Sequence, residues 1–127
     1  MKECILVVDD NLDSVAIIRS ILESRGYPVV VAVSGTEALQ AIEKNRVDLV
    51  LLDVMMPEMS GIEVLQKIKE NAVTGRLPVI LVTAKTQDED VLSGYQYGAD
   101  YYITKPFTAK QLLYGIDLVL GRGESVG

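Results

Sequence analysis

The sequence predicts a doubly wound, three-layer α/β domain, and three observations carry that prediction. Short apolar runs alternate with segments of helical length five times along the 127 residues. The central runs do not alternate apolar with polar residues, so both faces of their sheet should be covered, as in a parallel sheet flanked by helices. Hydroxyl residues stand three positions before Glu or Gln at the head of four of the helical segments, the pattern of a capping box.

Taken in order, Cys4 to Val8 reads as the first strand, and Asn11 caps a helix that Gly26 stops. Val29 to Val33 is the second strand, and Ser34 with Glu37 opens a second helix, roughly Thr36 to Lys44, that lacks a closing Gly. Leu49 to Leu52 is the third strand, followed by a helix opened by Ser60 with Glu63 and stopped by Gly75. Val79 to Val82 is the fourth, with Thr86 and Glu89 opening its helix and Gly98 ending it. The weaker run Tyr101 to Ile103 is the fifth, and Thr108 with Gln111 opens a fifth helix, roughly Ala109 to Leu120, before Gly121. In each box the hydroxyl accepts from an orphan amide of the first turn while the Glu or Gln reaches back. A Gly after the last turn ends a helix because it takes the left-handed conformation at little cost. Right-handed crossovers follow as the default. Residues 1–121 are expected to form the domain, and 122–127, apolar-poor and Gly-containing, a tail or the start of a linker.

Composition removes several function classes. With 12 Lys or Arg against 18 Asp or Glu and a net charge of -6, the domain lacks the clustered positive charge that a phosphate backbone requires. It has no His and a single cysteine, Cys4, which excludes His/Cys zinc sites, Ser-His-Asp and Cys-His catalysis, and a disulfide framework. No apolar run reaches membrane-spanning length, and the run before Asp9 is too short for a signal-peptide core. A reducing, cytoplasmic setting is expected.

In an open parallel sheet, ligands bind at the carboxyl ends of the strands. Here the first strand ends in Asp9 and Asp10, the third in Asp53, the fourth in Thr83, and Lys105-Pro106 follows the fifth. A flavodoxin-type order makes the first and third strands neighbours and gathers the three carboxylates. Like charges so close raise one another's pKa unless a cation intervenes, so the cluster predicts a hard divalent metal, Mg²⁺, with water and backbone oxygen completing its shell. An ammonium from Lys105 and a hydroxyl from Thr83 beside such a group suit phosphoryl chemistry, with a carboxylate as nucleophile. Taken singly, each residue also has a plain structural explanation: Asp9-Asp10 as a solvated, helix-capping loop, Thr83 as a hydroxyl satisfied by nearby backbone, Lys105 as a surface charge. Co-location at independent strand ends favours the site.

At these residues the sequence resembles the receiver domain of bacterial two-component response regulators. The likeness rests on Val8-Asp9-Asp10-Asn11, on Asp53-Val54-Met55-Met56-Pro57 with Gly61 following, on Thr83-Ala84, and on Gly98-Ala99-Asp100 leading to Tyr102-Ile103-Thr104-Lys105-Pro106-Phe107. It covers nearly the whole chain and implies a flavodoxin-like fold of five parallel strands in the order 2-1-3-4-5 with five helices. It further implies that Asp53 accepts a phosphoryl group from a phosphohistidine of a sensor histidine kinase or phosphotransfer protein. Asp9 and Asp10 would be the Mg²⁺ acids with the backbone carbonyl of Met55, Lys105 would pair with the phosphoryl group through a segment whose bond to Pro106 is cis, and Thr83 and Tyr102 would form a switch pair. The recipient of the signal would be a downstream protein or a linked effector domain.

The switch has its own physical logic. Phosphorylation adds about -1.5 to -2 charges and several acceptor oxygens, which draws the Thr83 hydroxyl and opens space for Tyr102 to turn inward. Departures from the family pattern occur at Met55, two residues after Asp53, and Lys85, two after Thr83; both are expected to tune phosphorylation and hydrolysis. Tyr101 replaces a second acid, and the fifth helix carries no Arg, which puts the charged dimer network of some relatives in doubt. That helix buries Leu112, Leu113, Ile116 and Val119 at core spacing, leaving Tyr114 and Leu118, with Tyr97 and Tyr101, as a candidate contact patch for a phosphorylation-dependent dimer.

Three other functions compete. A phosphatase of the haloacid dehalogenase type needs an acid-base Asp where Met55 stands. A phosphorylation-independent module usually lacks one of the site residues. Flavin binding would place a phosphate against Asp9-Asp10-Asn11, which repels it. A signalling switch, without metabolic enzyme activity, is the expected function.

Overall fold

Four consecutive apolar residues, Ile5–Val8, form a strand with no solvent-facing side, and the fold follows from covering it twice. A computed structural model describes residues 2–84 and 95–121. Its elements are β1 (Ile5–Val8), α1 (Leu12–Ser24), β2 (Val29–Ala32), α2 (Gly35–Lys44), β3 (Leu49–Leu52), α3 (Gly61–Glu70), β4 (Val79–Ala84), β5 (Tyr101–Lys105) and α4 (Ala109–Val119). The sheet is parallel throughout, in the order β2-β1-β3-β4-β5.

Odd and even residues of each central strand enter different cores. Ile5 and Val7 join Leu49 and Leu51 beneath Val15, Ile18 and Leu22 of α1 and Leu112 and Ile116 of α4. Leu6 and Val8 join Val50 and Leu52 beneath Ala38 of α2 and Val64, Leu65 and Ile68 of α3. Every residue of β1 and β3 is buried, which is why neither strand shows a period of two. Among the described residues no helix is long and apolar enough to cross a membrane.

The helix starts follow the capping residues. Asn11 Oδ1 accepts from the Ser14 amide at 3.0 Å. Ser60 with Glu63, and Thr108 with Gln111, form complete capping boxes. At α2 the box is only half made: Ser34 Oγ accepts from the Glu37 amide, while the Glu37 carboxylate accepts from Val33 instead of Ser34. α4 is the fifth helix of the sequence reading. Thr86 and Glu89, the expected start of the fourth, lie outside the described residues; Tyr95 and Gln96 are helical just before Gly98, whose φ is 100°.

Some boundaries move. β4 and β5 run two residues past the apolar stretches, because Thr83 pairs with Thr104 and Ala84 with Lys105 in the ladder. α3 ends at Glu70, ahead of Gly75, which sits in the turn that follows. Asp100 fixes the entry to β5: its Oδ2 accepts from the Val79 amide at 2.8 Å and from Lys69 Nζ at 3.2 Å.

Gly61 is required by close approach. A Cβ there would meet the carbonyl oxygen of Asp53 and lie 2.7 Å from the Cα of Val54, both backbone. At Gly35 a Cβ would instead press on Met59 Sδ at 2.7 Å and Val64 Cγ2 at 2.8 Å, side-chain atoms of which the thioether can move. Gly61→Ala should therefore cost about 2 kcal/mol by displacing the segment that carries Asp53. Gly35→Ala should cost less than half as much. Urea denaturation of the two variants measures the difference, and equal losses would show that the Asp53 segment yields freely.

Candidate functional site

Strand register places the acidic residues. Val8 pairs with Leu52 across β1 and β3, so Asp9 and Asp53 leave the sheet side by side at its carboxyl edge. The Asp53 amide donates to the carbonyl of Val8 at 2.9 Å, and the Asp9 amide to that of Ala32 at 3.1 Å. Asp9 and Asp53 are buried, at 1% and 6% exposure, while Asp10 is exposed beside them. One carboxylate oxygen from each of the three lies within 4.8 Å of the others.

The fixed hydrogen bonds at this edge orient the acids. Asp9 Oδ1 accepts from the Asn11 amide at 2.9 Å, and Asp53 Oδ1 accepts from the Met55 amide at 3.3 Å. Lys105 arrives from the end of β5, next to a cis Lys105–Pro106 peptide bond. Its Nζ lies 2.7 Å from Asp9 Oδ2, 3.9 Å from Asp53 Oδ2 and 3.5 Å from Ser14 Oγ. One ammonium thus faces two buried carboxylates and cannot neutralise both.

The excess negative charge is visible in Asp53. Burial and the neighbouring Asp9 raise its pKa to about 6, against the opposing pull of Lys105 and the Met55 amide. Three convergent carboxylates, one of them held back from ionising, fit a hard divalent cation that prefers oxygen ligands. Softer or nitrogen-seeking metals would find no thiolate or imidazole here, since the chain has no His and Cys4 lies just ahead of the opposite end of β1.

Thr83, at the carboxyl end of β4, is fully buried, and its hydroxyl has no hydrogen-bond partner among the described residues. An orphan hydroxyl in a core is costly, and its presence points to a use in another state of the molecule. Thr83→Val keeps the shape and removes the hydroxyl, and should raise stability by about 1 kcal/mol. Thermal melts test this, and a loss of stability would mean that the hydroxyl is satisfied in solution. Tyr102 pairs with Leu81 in the ladder, packs against the core under α2 and α3, and has its hydroxyl oxygen buried. This is the inward of the two arrangements that the sequence reading contrasts.

Met55 is 55% exposed beside Asp53, as its place in the chain implies, and Lys85 lies outside the described residues. Tyr97, Tyr114 and Leu118 are exposed, whereas Tyr101 is half-buried against Gly115 of α4. Sequence reading missed Ser14 as a neighbour of the site. The available signal was its position three residues after the capping Asn11, in the first turn of a helix whose N-terminus meets the carboxyl edge of the sheet.

The family model for the response regulator receiver domain matches residues 5–117. The alkaline phosphatase synthesis transcriptional regulatory protein PhoP of Bacillus subtilis is 38% identical over 124 residues, which are 98% of this chain and 51% of that protein. The DNA-binding response regulator MtrA of Mycobacterium tuberculosis is 39% identical over 98% of this chain and 53% of its own length. The chain thus spans about half the length of these curated relatives. A CheY-like response regulator receiver domain protein from Methanospirillum hungatei superposes with a TM-score of 0.89 at 33% identity, covering 100% of both chains. The receiver domain of the sensor histidine kinase PA1611 from Pseudomonas aeruginosa, solved with a magnesium ion in its active-site cleft, gives 0.87 at 29% identity over 95% of this chain and 99% of its own. With the sheet order, the acidic edge and the family match in agreement, the chain belongs to the response regulator receiver domain family.

Proposed function

We propose that Asp53 is the phosphoacceptor of a two-component signalling switch, taking its phosphoryl group from a phosphohistidine of a sensor histidine kinase or phosphotransfer protein. In that transfer an Asp53 carboxylate oxygen forms the new P–O bond, the P–N bond breaks, and the imidazole leaves with the bonding pair. Asp9, Asp10, Asp53 and the Met55 carbonyl would hold Mg²⁺, which when bound neutralises charge on the phosphoryl oxygens and orients them. Lys105 pairs with the phosphoryl group, and Thr83 turns its hydroxyl toward it.

The observation that carries this reading is the convergence of three carboxylates within 4.8 Å, with Lys105 Nζ 3.9 Å from Asp53. The Thr83 hydroxyl, which has no partner among the described residues, supports a switch role for Thr83 with Tyr102, since a phosphoryl oxygen would supply an acceptor. As a receiver domain the chain is a signalling component of a two-component system and not a conventional enzyme. The receiver unit is residues 1–121, around the family match at 5–117, in a cytoplasmic setting; residues 122–127 lie outside the described residues. The signal passes to a downstream protein or to a linked effector domain, while the domain itself, at a net charge of -6, binds no nucleic acid. Tyr97, Tyr114 and Leu118 offer a surface on which a phosphorylated dimer could form.

Intact mass after incubation with acetyl phosphate, with and without Mg²⁺, tests the proposal. One Mg²⁺-dependent phosphoryl adduct is expected, and an adduct that persists on an Asp53→Asn variant would move the acceptor elsewhere.

A further inference from the structure

We infer that Ser14 is a positioning residue for Lys105, sharing its ammonium with Asp9 and keeping it poised at the mouth of the acidic cluster. The inference rests on the reading of Asp53 as phosphoacceptor. A lysine ammonium has three N–H donors, and three acceptors surround this one: Asp9 Oδ2 at 2.7 Å, Ser14 Oγ at 3.5 Å and Asp53 Oδ2 at 3.9 Å. The shortest contact is to the acid that must also serve the cation. With no cation bound the ammonium rests on Asp9, because that carboxylate is buried and charged.

Ser14 is placed to offer the ammonium a second acceptor when a cation takes Asp9. Its backbone is fixed in the first turn of α1, where its own amide is held by Asn11 Oδ1. Ser14 and Lys105 line one cavity of about 200 Å³ together with Ile17, Pro106 and Phe107. Ser14 supplies the hydroxyl of that cavity, the rest of whose lining, Lys105 aside, is apolar. The 3.5 Å contact is long for a finished hydrogen bond, so it marks a second station that the flexible lysine reaches by a small torsion. A cation engaging Asp9 would shift Lys105 from the first station to the second, still within reach of a phosphoryl group on Asp53.

Two readouts follow. Ser14→Ala should weaken Mg²⁺ binding about two- to fivefold in calorimetric titration, because Lys105 then competes harder for Asp9. The same variant should slow adduct formation from acetyl phosphate by about the same factor. Ser14→Thr, which keeps the hydroxyl, should restore both, and in a Lys105→Met background Ser14→Ala should change neither. A Ser14→Ala protein with wild-type Mg²⁺ affinity and rate would overturn the inference, as would losses that persist without Lys105. Absence of any adduct on the wild-type protein would instead overturn the phosphoacceptor reading, and this inference with it.

Discussion

Asp53→Asn is expected to abolish phosphoryl uptake and at the same time to make the metal-free protein more stable at neutral pH. The second effect follows from the pKa of about 6 that burial and Asp9 impose on Asp53. An acid whose pKa is raised on folding holds its proton more tightly in the native state than in the unfolded chain. Stability therefore falls as pH rises from about 4 to about 6 and stays lowered above that. Asn carries no such penalty. At pH 7 the variant should gain about 1–2 kcal/mol, after allowing for the solvent that screens the mouth of the site. Below about pH 4 the difference should vanish, because Asp53 is then neutral in both states. Magnesium should reverse the order by binding the native wild-type site and stabilising it more than the variant. Paired thermal melts at pH 7 and pH 4, with and without Mg²⁺, read all of these signs. A destabilised Asn variant at pH 7 without metal would refute the account of the raised pKa.

Much of this site was legible in the chain because its residues stand at strand ends. Asp9, Asp53 and Thr83 each follow an uninterrupted apolar run, and a parallel sheet has one carboxyl edge, so topology alone gathers them. The capping residues were legible for a similarly local reason, since Ser60 and Thr108 bond to partners three positions away. What could not be read is set by tertiary contact. Nothing in the local sequence says that Lys105 settles on Asp9 and stands off from Asp53, or that Ser14 lies beside it, because these pairs are 96, 52 and 91 positions apart and meet only when β5 closes the sheet. The extensions of β4 and β5 were missed because ladder pairing, and not apolarity, holds Thr83 to Thr104 and Ala84 to Lys105. The inward setting of Tyr102 depends likewise on which side of β5 meets the core under α2 and α3.

Lys105→Met should lower the rate of adduct formation by about two orders of magnitude, the usual cost of removing one charged donor aimed at a transferring group. Met preserves the unbranched stem that lines the cavity with Ile17, Pro106 and Phe107, so the loss isolates the ammonium. The effect on the resting protein is opposite in sign to that at Asp53. Asp9 is 1% exposed and loses its 2.7 Å partner, which leaves two buried carboxylates with no counter-charge and should destabilise the metal-free variant by about 2 kcal/mol. Mg²⁺ should then bind the variant more tightly than wild type, since nothing competes for Asp9. Tighter metal with slower transfer separates the two tasks of this edge: the carboxylates set cation affinity, and the lysine both restrains that affinity and serves the phosphoryl group. Mg²⁺ titration and adduct kinetics on the same preparation decide it. A rate within tenfold of wild type would remove Lys105 from the transfer, and a weaker Mg²⁺ affinity would show that the ammonium supports the acidic cluster instead of competing for it.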